Sequence, residues 1–466
     1  MKIFQRVKNQ MTDLELHPVL QERLNDAKSA LLNCNGEIVR VVSHYDSDGI
    51  SSASVLTLML SRMGLPFHAT MSRSLDRHVI EKLRKEQRNI FIFSDMGSGQ
   101  LDMLRELNST IIVLDHHKGT GDVNDGGKVI HVNPSLFGSN GTTEVSGSTT
   151  CFLLAQHVDS RNWDASPLAL AGAYGDMQHL GGFKGLNEAI LQKAIQRKVL
   201  YGRKMLSLQG SNLLESLKLS PEPYFTGLAG REENIIKYFG MFGIDTTKPY
   251  ASYDADDVRK VSSILMTVLA SNGVDFENVS QIIATHYFLP GREISISELS
   301  SLANSCGRTE NYSTGLALEL GDRSALNEGR KLRNEYNSRI IERMIPLEGG
   351  IEQLNSIQYF GSDDASLSGA LCGLYMSFVG KKDKPTIVYS QSGSELKISA
   401  RGTRKLVSEG LDLAASLSKS AAECGGQGGG HVIASGASVP VGKLDIFLKI
   451  VDEITSKQLK RNVSAT

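Results

Sequence analysis

Eight carboxylate and imidazole side chains, placed at four points along the chain, have the means to hold divalent cations. His44-Tyr45-Asp46-Ser47-Asp48-Gly49 follows the apolar run Glu37 to Val42. Asp95 follows Asn89 to Phe93, Asp115-His116-His117 follows Thr110 to Leu114, and Asp176 follows Leu168 to Tyr174. No cysteine belongs to the set, and oxygen with imidazole donors suits manganese or magnesium better than structural zinc. The carboxylates at 46 and 48 can point into one pocket from a tight turn, with Gly49 freeing the backbone to enter the next helix. Asp95, from another strand, is placed to bridge two ions, and His116 and Asp176 bring the ligand count to what two divalent cations need. Manganese is preferred and magnesium possible. Two such ions a few ångströms apart clamp the attacking and leaving oxygens of a phosphoryl transfer and acidify a bound water. Taken singly, an Asp after a strand is ordinarily a helix N-cap or turn residue. The weight lies in eight such residues falling at element ends on one expected sheet edge. His131, in Ile130 to Pro134, reads as an ordinary strand terminus.

Elements able to position these residues alternate from about Glu37 to Gln196. Strands are expected at Val39 to Val42, Phe67 to Met71, Ile90 to Phe93, Ile111 to Leu114 and Lys128 to Val132. Helices are expected at Ser51 to Met63, Leu75 to Lys85, Gly99 to Leu107, Ser148 to His157 and Leu186 to Leu200. Repeated βαβ units of this kind build a mainly parallel sheet, which gathers chemistry at the C-terminal ends of its strands. Asp122 to Gly127 reads as a polar loop.

The pattern then changes. Residues 201–326 hold mixed helices and turns with no carboxylate and histidine cluster, and are expected to form an inserted or intermediate domain. Asn327 to Met344 has the spacing of a long amphipathic helix, and 327–349 is expected to connect. From 350 to 466 a second, smaller α/β unit is expected, with strands at Ser356 to Phe360, Thr386 to Tyr389 and Glu395 to Ala400, and helices at Ser366 to Phe378 and Val441 to Ile454. The run Cys424 to His431 is rich in glycine. The fold class is therefore α/β, with domains at 1–200, 201–326 and 350–466 and a cleft between the first and last.

The chain has 466 residues with 50 basic and 51 acidic side chains, so any site for a polyanion must be local. Five scattered cysteines give no disulfide framework and suit a reduced cytoplasmic setting. The N-terminus lacks an apolar targeting segment and no span reads as membrane-crossing.

The ordered motifs at 44 to 49, 95, 115 to 117 and 176 resemble those of the DHH phosphoesterase superfamily, named for its Asp-His-His triplet. The resemblance implies that residues matching His44, Asp46 and Asp95 hold a first metal, and those matching Asp48, Asp95, His116 and Asp176 a second. It also implies that His117 faces the scissile phosphate and that Asp115 supports the histidine pair. Hydrolysis in line, with Asp95 touching both ions and His117 stabilising charge on the phosphate oxygens, is the expected mechanism. Gly428-Gly429-Gly430-His431 resembles the mark of the companion DHHA1 domain. Gly429 and Gly430 allow a phosphate close to the backbone, and His431 adds a hydrogen bond or charge. Arg401 and Arg404, in Ser399 to Arg404, supply two guanidiniums for a phosphate or carboxylate.

Total length, Pro223 to Gly230 and Leu302 to Arg308 resemble the archaeal RecJ-like exonucleases, a group that includes the GINS-associated nuclease. That group is related to a component of the eukaryotic replicative helicase that has lost catalytic residues, whereas every ligand position is filled here. The implied function is a single-strand exonuclease of replication or repair. A hydrolase of short oligonucleotides or cyclic dinucleotides and a replisome scaffold are the alternatives. The implied partners are single-stranded nucleic acid and replisome proteins such as the GINS complex. Lys118, next to the histidine pair, is the best-placed basic contact for substrate. Arg73 and Arg77 read as a solvated helix start, and Tyr45, Phe137, Tyr174 and Phe183 as core before stacking platforms.

Overall fold

The architecture comes from a computed structural model that describes residues 14–34, 36–119, 121–122, 128–292 and 294–460. The chain divides into two compact units, one made of Met1–Lys204 with Thr285–Arg333, the other of Met205–Ala284 with Asn334–Thr466.

The first unit is built on a five-stranded parallel sheet of β1 (Val39–His44), β2 (Phe67–Ser72), β3 (Ile90–Ser94), β4 (Thr110–Leu114) and β5 (Val129–Val132), in the order β2-β1-β3-β4-β5. Four of these strands are mainly apolar and buried on both faces, as a covered parallel sheet requires. Val41, Ile92, Ile112 and Ile130 pack into one core with Leu24, Leu56, Phe152 and Leu170, while Val42, Phe93, Val113 and Val129 pack into another with Ile80, Leu83 and Leu104. In this strand order the connections leave β1 on both sides, so the switch point lies between the C-terminal ends of β1 and β3. That is where an open α/β sheet leaves a crevice. Around the sheet run the helices Pro18–Leu32, Ser47–Arg62, Arg77–Lys85, Leu101–Arg105, Gly147–Val158, Ser166–Gly175 and Gly185–Gln196. Helices Ile296–Arg308 and Tyr312–Glu319, from the expected inserted segment, also belong to this unit.

β6 (Tyr201–Leu206) and β7 (Ile283–Phe288) form a two-stranded ribbon. The second unit carries a six-stranded sheet of β8 (Glu352–Gln353), β9 (Gln358–Gly361), β10 (Thr386–Ser392), β11 (Glu395–Arg401), β12 (Gln427–Gly430) and β13 (Ala434–Pro440), in the order β12-β13-β11-β10-β9-β8. Residues 201–326, expected as one segment, are thus shared between the units. The reason is packing: Tyr224, Phe239 and Leu265 lie in the same core as Phe360, Cys372 and Val388 of the C-terminal α/β region. The connecting helix is Arg323–Met344. β13 was not expected from sequence, because Ala-Ser-Gly-Ala-Ser has no apolar alternation. Part of the glycine-rich run forms β12 through pairing with that strand.

All five cysteines are free thiols. No helix among the described residues is long and apolar enough to cross a membrane. The N-terminal stretch 1–10, most of the loop expected at 122–127 and the last six residues lie outside the described residues.

Candidate metal centre

Local backbone chemistry sets the first two carboxylates. Asp46 caps the helix Ser47–Arg62, its Oδ1 accepting from the Gly49 N–H at 3.1 Å, while its Oδ2 lies 3.0 Å from His44 Nδ1. Being an N-cap and facing the cluster are therefore compatible roles for one side chain. Gly49 is required by close approach more than by backbone freedom, since a Cβ there would lie 2.0 Å from the His44 carbonyl oxygen. Asp48, the second residue of the helix Ser47–Arg62, is fully buried against the start of the helix Gly147–Val158. Its Oδ1 accepts from Ser146 Oγ at 2.9 Å and Ser148 N at 3.0 Å, and its Oδ2 from Gly147 N at 2.6 Å. A helix N-terminus offers free N–H groups and a positive dipole end to this anion. Oδ2 keeps a lone pair for a further partner.

Asp95 follows β3 with φ of 57°, a left-handed conformation that aspartate tolerates better than most residues. Gly147 packs against it so closely that a Cβ would lie 2.5 Å from Asp95 Cβ. Asp115 follows β4: Oδ1 accepts from the N–H of His116 at 2.8 Å and His117 at 3.2 Å in its own turn, and Oδ2 from the N–H of Ser98 at 2.9 Å. Asp176 stands at the C-terminal end of the helix Ser166–Gly175.

These elements bring His44, Asp46, Asp48, Asp95, Asp115, His116, His117 and Asp176 together. His116 Nε2 lies 3.2 Å from Asp95 Oδ1, 3.4 Å from Asp176 Oδ2 and 3.8 Å from Asp48 Oδ2, and His44 Nδ1 lies 3.5 Å from Asp95 Oδ2. His44, Asp46 and Asp95 form one group with ligand atoms within 4.8 Å of one another. Asp48, His116 and Asp176 form a second, and Asp95, Asp115, His116 and His117 a third. The donor set fits divalent cations on a physical ground: among the described residues, His44 Nδ1, Asp95 Oδ1 and His116 Nε2 are buried with no well-directed hydrogen bond, the two imidazole nitrogens facing the Asp95 carboxylate across 3.5 and 3.2 Å. Buried polar atoms are rarely left so unless something else binds them.

Electrostatics agree with a site that demands positive charge. Burial disfavours charge on His44, but Asp46 and Asp95 outweigh it and push the imidazole up to about 11. Burial likewise opposes a charged His116, and Asp95, Asp176 and Asp48 raise it well above its ordinary value. Asp46 and Asp115 are held well below the usual carboxylate range against burial, the first by His44 and the second by His117. Burial and the nearby Asp95 raise Asp48 to about 7, and burial with Asp48 raises Asp176 well above its ordinary value. Protons occupy the place of cations in this arrangement.

The two histidines face different ways. His117 Nδ1 meets Asp115 Oδ1 at 2.8 Å, and its side chain is 46% exposed, leaving the Nε2 edge toward solvent. Lys118 is exposed beside it.

Several neighbours escaped the sequence reading. Ser146 and Ser148 carried a usable signal, because Ser146 with Thr149 forms a capping box. Gln178, which donates to the carbonyls of Gly141 and Val145, carried none. Arg308 donates to Tyr45 Oη at 2.6 Å, and both Arg308 and Arg73 lie 5.2 Å from the Tyr45 ring centroid. Tyr45 is thus a half-buried ring held by two guanidiniums, and Arg73, read as solvated, also pairs with Glu310. Arg77 pairs with Glu106. His131, read as an ordinary terminus, is fully buried with Nε2 2.8 Å from Ser98 Oγ.

In the second unit, Arg401 stands opposite Ala434 and Gly430 opposite Ser435, so Arg401, Gly429, Gly430 and His431 gather at one end of the sheet. Arg404 opens the next helix, Arg404–Ser408, and is paired with Glu277 at 2.8 Å.

A parallel α/β sheet with carboxylates and imidazoles at its switch point defines a class of protein that can hold divalent cations. Comparison with known proteins narrows the class. Residues 38–175 match the model of the DHH family, N-terminal domain, and residues 359–457 that of the DHHA1 domain. The uncharacterized protein MJ0831 of Methanocaldococcus jannaschii is 33% identical over 444 residues, 93% of this chain and 96% of that protein. The chain belongs to the DHH family, whose members are phosphoesterases. Its fold is RecJ-like. RecJ from Thermus thermophilus in complex with Mn2+ is similar with a TM-score of 0.60 and 16% identity, over 96% of this chain and 56% of that one. This chain therefore spans about half the length of that RecJ. An exonuclease RecJ bound to manganese gives 0.59 and 17% over 97% and 98%. CDC45 from Entamoeba histolytica gives 0.65 and 13% over 94% and 99%.

Proposed function

We propose that the protein is a metal-dependent phosphodiesterase that removes nucleotides from the ends of single-stranded DNA or RNA, in replication or repair in the cytoplasm. The observation that carries this reading is the convergence of six potential ligands from four chain segments, three of which offer a buried atom with no hydrogen-bond partner among the described residues. The similar RecJ structures, solved with manganese or magnesium, support the choice of ions. His44, Asp46 and Asp95 would hold one divalent cation, and Asp48, Asp95, His116 and Asp176 the other. When bound, the pair supplies charge to the phosphate and acidifies a water. The chain's own groups do the rest. Asp115 fixes the His117 ring, whose exposed Nε2 edge donates to a non-bridging phosphate oxygen, and Lys118 takes an adjoining phosphate. Arg401, Arg404, Gly429, Gly430 and His431 bind the end of the strand.

The likeness to CDC45 favours a second reading, a replisome scaffold that contacts partners such as the GINS complex and has little catalysis. A time course with added manganese on 5′-labelled and 3′-labelled DNA and RNA strands decides. Ladders from long strands support the exonuclease, whereas cleavage confined to dinucleotides points to a hydrolase of short oligonucleotides. Absence of manganese-dependent cleavage leaves only the scaffold, and manganese binding and cleavage unchanged in Asp46→Ala/His116→Ala refute a catalytic role for this centre.

A further inference from the structure

An imidazole at position 131 is unexpected on packing grounds. Its strand neighbours Val129, Ile130 and Val132 are apolar and buried, and His131 is itself fully buried, where a polar ring costs free energy unless it is bonded. Only one ring atom has a partner. Nε2 lies 2.8 Å from Ser98 Oγ, while Nδ1 has none among the described residues. Burial lowers the pKa of this ring, so it stays neutral.

The Ser98 contact leads directly to the triplet. Ser98 N–H donates to Asp115 Oδ2 at 2.9 Å, and Asp115 Oδ1 meets His117 Nδ1 at 2.8 Å. Asn133 closes the chain into a ring, its Nδ2 donating to Ser98 Oγ at 3.0 Å and to the His117 carbonyl at 2.9 Å. The main chain of His131 is pinned from the other side, where Arg23 Nη1 donates to its carbonyl at 2.6 Å and the guanidinium pairs with Asp122. Arg23 belongs to the helix Pro18–Leu32, outside the segment that matches the DHH family model. A bonded polar network of this kind allows one arrangement where apolar packing alone would allow several.

We infer that His131 is a positioning residue for His117: through Ser98 it holds the Asp115 carboxylate in the orientation that binds His117 Nδ1 and leaves Nε2 outward. The inference rests on the reading of His117 as a phosphate contact, and its consequence for that reading is rate, with no direct effect on cation or substrate binding.

Two measurements on the full chain test it separately. Histidine-selective 15N labelling, assigned with His117→Gln, reads the hydrogen-bonded Nδ1–H of His117 without cation or substrate. His131→Ala is expected to lose that signal to solvent exchange, and His131→Gln, whose amide reaches Ser98, to keep it. In manganese-dependent cleavage of a labelled oligonucleotide, His131→Ala is expected to lower kcat about tenfold with KM and manganese dependence unchanged. It should add nothing to the loss already present in His117→Ala. An unchanged His117 signal in His131→Ala, or losses that multiply in the double variant, overturns the inference. An inactive wild-type protein overturns the functional reading instead, and the spectrum still decides the role of His131. If a thermal melt shows His131→Ala unfolded, Ser98→Ala removes the link from its loop end, together with the Asn133 contact to Ser98, and an unchanged His117 signal in that variant overturns the inference.

Discussion

His116 Nδ1 lies 2.6 Å from the Gly141 carbonyl oxygen. A carbonyl can only accept, so Nδ1 keeps a proton in either state of the ring, and it is Nε2, turned toward Asp95, Asp48 and Asp176, that must lose its proton to act as a ligand. A hydrogen bond to the far ring nitrogen is how ligand imidazoles are ordinarily oriented. Gln178 Nε2 donates to the same carbonyl at 3.1 Å and holds it in place. Gln178→Ala should therefore weaken manganese affinity about tenfold, with the fold intact. Calorimetric titration checks this, and an unchanged affinity contradicts it.

Gly147 and Asp95 are too close to admit a side chain at 147. Gly147→Ala should displace Asp95, cost about 1–3 kcal/mol of stability through overpacking and remove most manganese binding. Asp95→Asn should lose manganese binding while folding normally, because the shape is kept and the charge is not. Urea unfolding with parallel manganese titration separates the two, and a Gly147→Ala protein that binds manganese normally rules out this dependence on close approach.

Proton and cation compete for the centre. His44, raised from 6.5 to about 11 by Asp46 and Asp95 against burial, holds a proton near neutral pH in the cation-free chain. His116 is raised well above its ordinary value, and Asp48 to about 7. To act as ligands these groups must release their protons, so manganese binding should liberate protons and tighten as pH rises. Calorimetry in two buffers of different ionisation enthalpy, at roughly pH 6 and pH 9, measures both. Binding that is independent of pH and releases no protons contradicts the prediction.

Arg308 sits on Tyr45, one residue from two potential ligands. Its charge also helps to hold Asp46 low, after the larger effect of His44. If the guanidinium also meets substrate phosphate, Arg308→Ala should raise KM for an oligonucleotide about tenfold, roughly 1.4 kcal/mol, with a smaller change in kcat. Steady-state kinetics at two salt concentrations checks this, and a pure kcat loss would assign Arg308 to the metal centre alone.

Arg404 is neutralised by Glu277 in the second unit. An exposed pair of this kind is weak, on the order of 0.2–1 kcal/mol, so substrate can displace it. Glu277→Ala should free Arg404 and lower KM, and Arg404→Ala should raise it. Equal KM values in both variants remove Arg404 from the substrate site.

Much of this protein was legible in its residue order. The buried strands β1, β3, β4 and β5 read directly because a parallel sheet covered on both faces needs near-continuous apolar runs, and the eight chemical side chains stand where β1, β3, β4 and one apolar helix end. β12 and β13 did not read, since four residues rich in glycine become a strand only when another strand pairs with them. Residues 201–326 read as one segment, yet their apolar side chains divide between two cores.

The identity of the potential ligands is thus a property of sequence, because each is marked locally by the element it terminates. Their mutual distances belong to tertiary structure alone. So do the capture of Asp48 by Ser146 and Ser148, the two guanidiniums on Tyr45 and the buried link from His131 to His117, since each joins segments far apart in the chain. Contacts of that kind leave no local pattern, as only folding brings their partners together.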